Sequence, residues 1–146
     1  MKPDVAVALE KIGQALLAQI GPEIKADYAQ RSALVATMLL QCASEEWDRG
    51  AARRVEENQA LRELFRGAAD AASAAGGLRE RLARAAAGRD EDLRISALDR
   101  ANDELRALLI ELHADAEARG ATELEDMIWR ELRRSTERRA LSVSPF

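Results

Sequence analysis

The chain has 146 residues, of which 47% are hydrophobic, 33% charged and 3% aromatic, and its formal net charge is -4. This length suits one domain, which we place at residues 1–140, followed by a C-terminal tail at 141–146. The 30 Ala and 19 Leu, with only 3 Pro and 8 Gly, favour helices and argue against a sheet. The balanced charge, without a basic block, argues against a nucleic-acid surface.

The cysteine content and the uncharged segments bear on the compartment. Cys42 is the one cysteine, which leaves no pair for an intrachain disulfide or a zinc site. The longest uncharged stretch, residues 32–44, is shorter than the ~20 apolar residues of a membrane-spanning helix. Charged residues near the N-terminus leave no room for a secretory signal. We therefore expect a cytoplasmic protein that does not bind membranes.

The first 50 residues predict a helical hairpin. Apolar residues recur at spacings of three and four, which is typical of one helix face. Gly21, in a left-handed conformation, followed by Pro22, predicts a very short link between two helices whose stripes both face inward. The stripes are Val5, Leu9, Ile12, Leu16 and Ile20 in a helix capped by Asp4, and then Ile24, Tyr28, Val35, Met38 or Leu39, and Cys42.

The middle of the chain is less regular. Gly50 interrupts the second helix, and we predict that the helix continues with a kink as far as Gly67, because one Gly costs only about 1 kcal/mol. Residues 68–77 have no large side chain to dock, so we expect the most mobile region there. Leu78 and Leu82 are the only large apolar residues of a short, Arg-rich helix at residues 78–87.

Two further helices follow. Ser96 with Asp99, and Thr122 with Glu125, have the spacing at which a hydroxyl and a carboxylate cap a helix start reciprocally. Gly120 is expected to end the first of these helices, and the arginines of residues 129–139 complement the negative end of the second. The sequence therefore predicts an all-α fold, an antiparallel bundle of four long helices with one short extra helix.

Two asparagines are the most informative polar residues. The pattern N-x-x-L-R-x-L begins at Asn58 and again at Asn102, although in a chain this rich in Leu and Arg it is weak evidence of duplication. Their spacing from neighbouring apolar residues points both amides at the core, where they need partners. One interpretation is that they fix helix register by pairing with a neighbouring helix; the other is that they line a polar pocket.

Arg62 and Arg106 follow the two amides by one helical turn. Together their guanidinium groups are able to hold a carboxylate or a phosphate. The alternative is a pair of interhelical salt bridges to Glu45, Glu46 or Glu57. Glu46 also continues the apolar stripe of the second helix, so we expect either it or Glu45 to be partly buried.

His113 is the one histidine, and Glu117 lies one turn beyond it. Two ligands do not make a metal site, so we expect a partly exposed imidazole hydrogen-bonded to Glu117, with no metal and no cofactor. No nucleophile motif or phosphate-binding glycine loop occurs, and we assign no catalytic residue. Trp47 and Trp129 either pack at the ends of the bundle or, if exposed, mark a partner surface.

Two hypotheses about function remain. The leading one is a non-enzymatic protein–protein interaction module that forms a homodimer through side-by-side helices or binds a protein partner. The alternative is a binder of a small anionic ligand, or a minor enzyme, with a polar pocket between helices. The residues assigned to that pocket are Glu46, Asn58, Arg62, Asn102, Arg106 and His113.

Overall fold

The computed structural model describes residues 4–73 and 77–142 and contains five α-helices. They are α1 (Val5–Ala15), α2 (Asp27–Ala68), α3 (Leu78–Ala87), α4 (Ile95–Arg119) and α5 (Thr122–Arg139). The described residues contain no strand, so the prediction of an all-α fold is confirmed. The antiparallel arrangement of four long helices stays a prediction. None of the described helices is both long and apolar enough to cross a membrane.

The connection between α1 and α2 differs from the prediction. Asp4 caps α1 as expected, accepting a hydrogen bond of 3.1 Å from the Val7 amide. Gly21, however, has a φ of -52° and is right-handed. The chain continues through a π-helical turn (Leu16–Ile20) into a 3-10 turn (Gly21–Glu23), because the fixed φ of Pro22 fits a first helical turn. The predicted left-handed link is therefore wrong.

Helix α2 is 42 residues long and passes through Gly50 without a break. The predicted continuation is confirmed, and the kink at Gly50 stays a prediction. At a rise of 1.5 Å per residue, this helix is about 63 Å long.

The chain divides into two compact units, and α2 contributes to both. The first unit extends to Gly50 and includes the chain from Ala140 onward, and the second is Ala51–Arg139. The assignment of residues 1–140 to a single domain stays a prediction.

In the first unit, α1 and the beginning of α2 form an antiparallel hairpin. The hydroxyl of Ser44 donates to the carbonyl oxygen of Ala6 at 3.1 Å. Further along, a Cβ on Gly13 would lie 3.5 Å from Cγ2 of Thr37. Since residue 6 lies opposite 44 and residue 13 opposite 37, the two helices run in opposite directions. Small side chains form this seam.

The predicted inward orientation is wrong for part of the apolar stripes in this hairpin, while their other members are half-buried. Five of their members are exposed: Ile12, Ile20, Tyr28, Val35 and Leu39. The physical reason is that the helices approach closely at Gly13, where only small residues fit. The bulky apolar residues are left on other faces.

The second unit has a conventional apolar core. Its buried residues come from the end of α2, from α3, and from α4 and α5. Those with the lowest exposure and the largest volume are Phe65, Leu82, Leu98, Leu112 and Ile128. In segment 68–77 the small residues Ala68 and Ala72 are buried, and Arg119 donates to the carbonyl of Ala71 at 2.8 Å. Residues 74–76 of that predicted mobile region lie outside the described chain.

The helix ends of the second unit confirm some predicted signals and correct others. Gly120 ends α4 in a left-handed conformation with a φ of 63°. The Ser96–Asp99 cap is wrong, because α4 begins at Ile95 and Asp99 instead forms a salt bridge of 2.5 Å with Arg54. Helix α5 begins at Thr122 itself.

The tail contributes a contact within the first unit. Ser142 donates to Oε2 of Glu45 from its amide at 2.8 Å and from its hydroxyl at 2.6 Å. Residues 143–146 of the predicted tail lie outside the described chain.

Candidate functional site

The amides of Asn58 and Asn102 meet directly in the second unit. Nδ2 of Asn102 donates to Oδ1 of Asn58 at 2.9 Å, which joins α2 to α4. Nδ2 of Asn58 donates in turn to the carbonyl of Leu98 at 3.3 Å and to Asp90 at 3.2 Å. Both side chains are buried, so the prediction that they face the core is confirmed. The repeated N-x-x-L-R-x-L segments therefore lie side by side.

Arg62 pairs with a carboxylate from the loop between α3 and α4. Its two terminal nitrogens donate to the two oxygens of Asp90 at 3.0 and 2.7 Å, and both side chains are largely buried. The Arg62 guanidinium lowers the pKa of Asp90 below its ordinary value, and the bond from Asn58 acts in the same direction. The predicted partners of Arg62 were glutamates of α2, so Asp90 is a correction. Because Asp90 sits in a loop, no helical periodicity placed it.

Arg106 reaches the carboxylate of Glu57, one of the three predicted partners. Its Nε donates to Oδ1 of Asn102 at 2.9 Å, and one terminal nitrogen donates to the Ser135 hydroxyl at 2.8 Å. This side chain therefore connects α2, α4 and α5. It lies at the edge of the core, with its guanidinium partly accessible to solvent.

Glu57 is the most enclosed charged group of the site, with 3% of the residue exposed. Besides Arg106, it accepts hydrogen bonds from Ser135 at 2.7 Å and from Arg139 at 2.9 Å. Burial alone would raise its pKa, but the bonds from Arg106, Ser135 and Arg139 outweigh burial, and the pKa lies below its ordinary value. Glu57 is thus held as a carboxylate.

These groups form one connected set, which we call the polar network. Its members are Glu57, Asn58, Arg62, Asp90, Asn102, Arg106, Ser135 and Arg139. It includes four of the six residues predicted for a pocket. Sequence reasoning did not assign Glu57 to the pocket, although its position four residues before Leu61 signals burial. Ser135 carried the same kind of signal, because it lies seven residues after Ile128 and three after Leu132, whereas Arg139 joins the network only through the packing of α5.

The other two predicted residues lie elsewhere. Glu46 belongs to the first unit, whereas the network lies in the second. His113 is on α4, where its ring meets Trp129 edge-on with centroids 5.4 Å apart. Nε2 of His113 is 3.6 Å from Oε1 of Glu117, too long for the hydrogen bond that we predicted. Within the second unit, His113 takes no part in the hydrogen bonds described for the other four residues, and the assignment of all six residues to one pocket stays a prediction.

The chemistry of the polar network is that of a helix-to-helix connector. Each of its carboxylates accepts hydrogen bonds from at least one guanidinium, and each of its amides has a partner. The described residues contain no group of three or more His, Cys, Asp or Glu side chains placed to hold a metal ion. A fully satisfied polar network fixes which turns of neighbouring helices meet. This geometry favours the register interpretation of the two asparagines.

A second candidate surface lies on α2 in the first unit. Tyr28, Val35 and Leu39 are 84%, 54% and 63% exposed, and Cys42 continues their spacing. We call these four residues the outer face. Successive residues of an α-helix are rotated by about 100°, so the outer face points away from the seam at Thr37 and Ser44. The hairpin therefore leaves three of these four residues, Tyr28, Val35 and Leu39, exposed.

Comparison of the chain with known protein families, with curated proteins and with solved structures found no match. The polar network and the outer face are therefore the features that bear on its function.

Proposed function

We propose that the protein is a non-enzymatic interaction module that pairs with a second copy of itself through its first unit. One observation carries the proposal. Among the described residues, all sixteen buried hydrophobic side chains lie between Leu61 and Ile128, whereas nine of the thirteen exposed large hydrophobic ones precede Gly50. Those nine are Val7, Ile12, Leu17, Ile20, Tyr28, Leu34, Val35, Leu39 and Trp47.

The energetics of the first unit support a need for a partner. A seam of small residues buries little apolar area, and burying one Val, Leu or Ile side chain stabilises by about 1.5–3 kcal/mol. Contiguous apolar patches beyond a few hundred Å² are rare on proteins that act alone. A two-fold dimer covers the same patch on both copies at once. A second copy presents the same apolar residues, so its surface matches the outer face in chemistry.

The oligomeric state tests this function. We expect sedimentation to show a concentration-dependent dimer, and Leu39→Glu to weaken it at least tenfold. Ile110→Glu is the matched control, because Ile110 is also exposed but lies on α4 of the second unit, and it should leave the dimer unchanged. Circular dichroism checks that both variants stay helical. A strict monomer from micromolar to millimolar concentration would overturn the proposal.

The same proposal includes a location in the cytoplasm. A cytoplasmic location is supported by the single cysteine, which leaves no intrachain disulfide to gain from an oxidising compartment. Fractionation of cells expressing the tagged chain checks it.

A second candidate function is the binding of a small anion, favoured by one feature of α5. A groove of about 370 Å³ in the second unit is lined by Arg130, Arg134 and Arg138 together with Glu63 and Glu131. Arg138 pairs with Glu131 through a terminal nitrogen, and its Nε is buried without a hydrogen-bond partner. Arg62 and Arg106 are already engaged by Asp90 and Glu57. This second proposal therefore assigns the anion to the groove rather than to the predicted pocket.

Inorganic phosphate is the probe for this second function. At 100 times its dissociation constant, a ligand of the folded state stabilises by about 2.7 kcal/mol, which a thermal melt detects. Arg134→Ala should remove the increase in melting temperature on adding phosphate. Arg133→Ala should retain that increase, because Arg133 does not line the groove. Equal shifts in both variants, or none in the wild type, would reject the groove.

A further inference from the structure

The groove on α5 lies between two antiparallel helices of the second unit. At one point the Ser135 hydroxyl of α5 donates to Glu57 of α2 at 2.7 Å. Further along, a Cβ on Gly67 of α2 would lie 3.3 Å from Cε of Met127 on α5. Since residue numbers rise along α2 while those of their partners fall along α5, the two helices run in opposite directions. They form the two walls of the groove.

Glu63 on the α2 wall lies opposite Arg130 on the α5 wall. Both residues line the groove. Counting from either of the two contacts, at the same rise per residue in both helices, brings Glu63 level with residues 129–131. Arg134 lines the same wall four residues further along, which is about 6 Å. One carboxylate and two guanidinium groups therefore share the groove.

These opposite charges do not pair with each other. Glu63 accepts a hydrogen bond of 3.1 Å from Gln59, a neutral amide, and Arg130 donates from Nε to the carbonyl of Asp126 at 3.2 Å. Arg134 has no hydrogen bond or salt bridge to any residue that the structure describes. The three charges are therefore separated across a space of about 370 Å³.

The rest of the lining is either paired or apolar. Glu131 and Arg138 form a salt bridge with each other. Ala60, Leu64 and Met127 supply the apolar part of the lining. The groove thus combines an apolar surface with one unneutralised negative charge on α2 and two unneutralised positive charges on α5.

We propose that the groove binds a zwitterionic phosphate monoester, with its phosphate on Arg130 and Arg134 and its ammonium group on Glu63. The inference rests on the second candidate function and names the ligand class of that site. Guanidinium groups donate to phosphate oxygens in a fork, and the volume is that of a small-molecule site. A simple anion would also meet the Glu63 carboxylate, which repels it. An ammonium group on the same ligand turns that repulsion into attraction.

Two compounds of similar size separate the ammonium contact from the phosphate contact. Phosphoethanolamine has both groups, and ethyl phosphate has the phosphate alone. Titration calorimetry with the full chain at pH 7 should show phosphoethanolamine binding about three- to fivefold tighter, the gain expected of an exposed ion pair. Arg134→Ala should weaken the binding of both compounds.

Substitution of Glu63 tests the ammonium contact itself. Glu63→Gln should remove the preference for phosphoethanolamine and strengthen the binding of ethyl phosphate, because the repelling carboxylate is gone. The matched control is Glu56→Gln, which removes the same charge from an exposed residue of α2 that does not line the groove. It should keep the preference. Circular dichroism checks that both variants stay helical, and the wild-type comparison needs no variant.

Several results would contradict the contact between Glu63 and the ammonium group. Equal binding of both compounds to the wild type would overturn the ligand class while the anion function stands. A preference that survives Glu63→Gln, or that is lost in Glu56→Gln as well, would also overturn it. If neither compound nor inorganic phosphate binds, the inference and the second candidate function are both rejected.

Discussion

The two units of this chain use similar helices in opposite ways. In the first unit, Gly13, Thr37 and Ser44 form the seam, and bulky apolar residues such as Leu39 are exposed. In the second, bulky residues such as Leu112 are buried, and polar groups that would otherwise weaken the core are collected into one network. Helical periodicity identifies an apolar face but does not say what covers that face. The same composition therefore yields one buried apolar core and one apolar face that is exposed.

A matched pair of leucine substitutions tests the difference between the two units most directly. Leu112→Ala removes a side chain that is 0% exposed and should lower the free energy of unfolding by about 2–5 kcal/mol. Leu39→Ala removes one that is 63% exposed and should change it by less than about 0.5 kcal/mol in the monomer. Urea unfolding at low protein concentration measures both. Equal losses would mean that the first unit has a core of its own.

The asparagine pair gives the next largest effect. Asn58→Ala should cost about 1–3 kcal/mol, because it leaves the buried Nδ2 of Asn102 without its acceptor. Asn102→Ala should cost a similar amount, and the double variant less than the sum of the two. Additive losses in urea unfolding would show that the two amides act independently.

Acid should weaken the second unit through the polar network. The pKa of both Glu57 and Asp90 is lower in the folded protein than its ordinary value. The unfolded chain therefore binds more protons in acid, so the stabilisation is present at neutral pH and is lost as the pH falls below about 4.5. Asp90→Asn should reduce the loss of unfolding free energy between pH 6 and pH 3 by on the order of 1 kcal/mol. Unfolding curves at pH 6 and pH 3 test this, and an unchanged slope in Asp90→Asn would contradict it.

Substitution of Gly13 has the smallest expected effect, and it should raise the stability rather than lower it. A Cβ at this position would make only ordinary contacts, the nearest at 3.5 Å from Thr37. Since Gly within a helix is less favourable than Ala by about 0.5–1 kcal/mol, Gly13→Ala should stabilise α1, seen as a higher helix signal on heating. The control is Gly120→Ala, which should destabilise because its φ of 63° strains any other residue. Loss of stability in Gly13→Ala would show that the seam is tighter than described.

The features that the sequence predicted are those that depend on local spacing. The inward direction of Asn58 and Asn102, the cap at Asp4 and the end of α4 at Gly120 all follow from residues within one or two turns. The passage of α2 through Gly50 follows from the small cost of a single glycine. These predictions hold because the spacing on which they depend lies within one helix.

The features that it missed depend on tertiary packing. Asp90 comes from a loop and Arg139 from the last turn of α5, and both reach partners on α2 that no periodic pattern indicates. The outer face was assigned inward because its spacing is correct for a core. In the structure, α1 and α2 approach closely at Gly13, and smaller residues form the seam between them. Ser96 failed as a cap because α4 begins one residue earlier, at Ile95.

The contact between Glu57 and Arg139 also has a consequence for the order of folding during synthesis. The two residues are 82 positions apart in the chain. At a translation rate of about 5–20 residues per second, Arg139 is added about 4–16 s after Glu57. Until Arg139 is added, the Glu57 carboxylate has only one of its two guanidinium partners, Arg106, and for most of that interval lacks Ser135 as well, so burying it completely is costly. The polar end of the second core is therefore expected to close last, when α5 arrives.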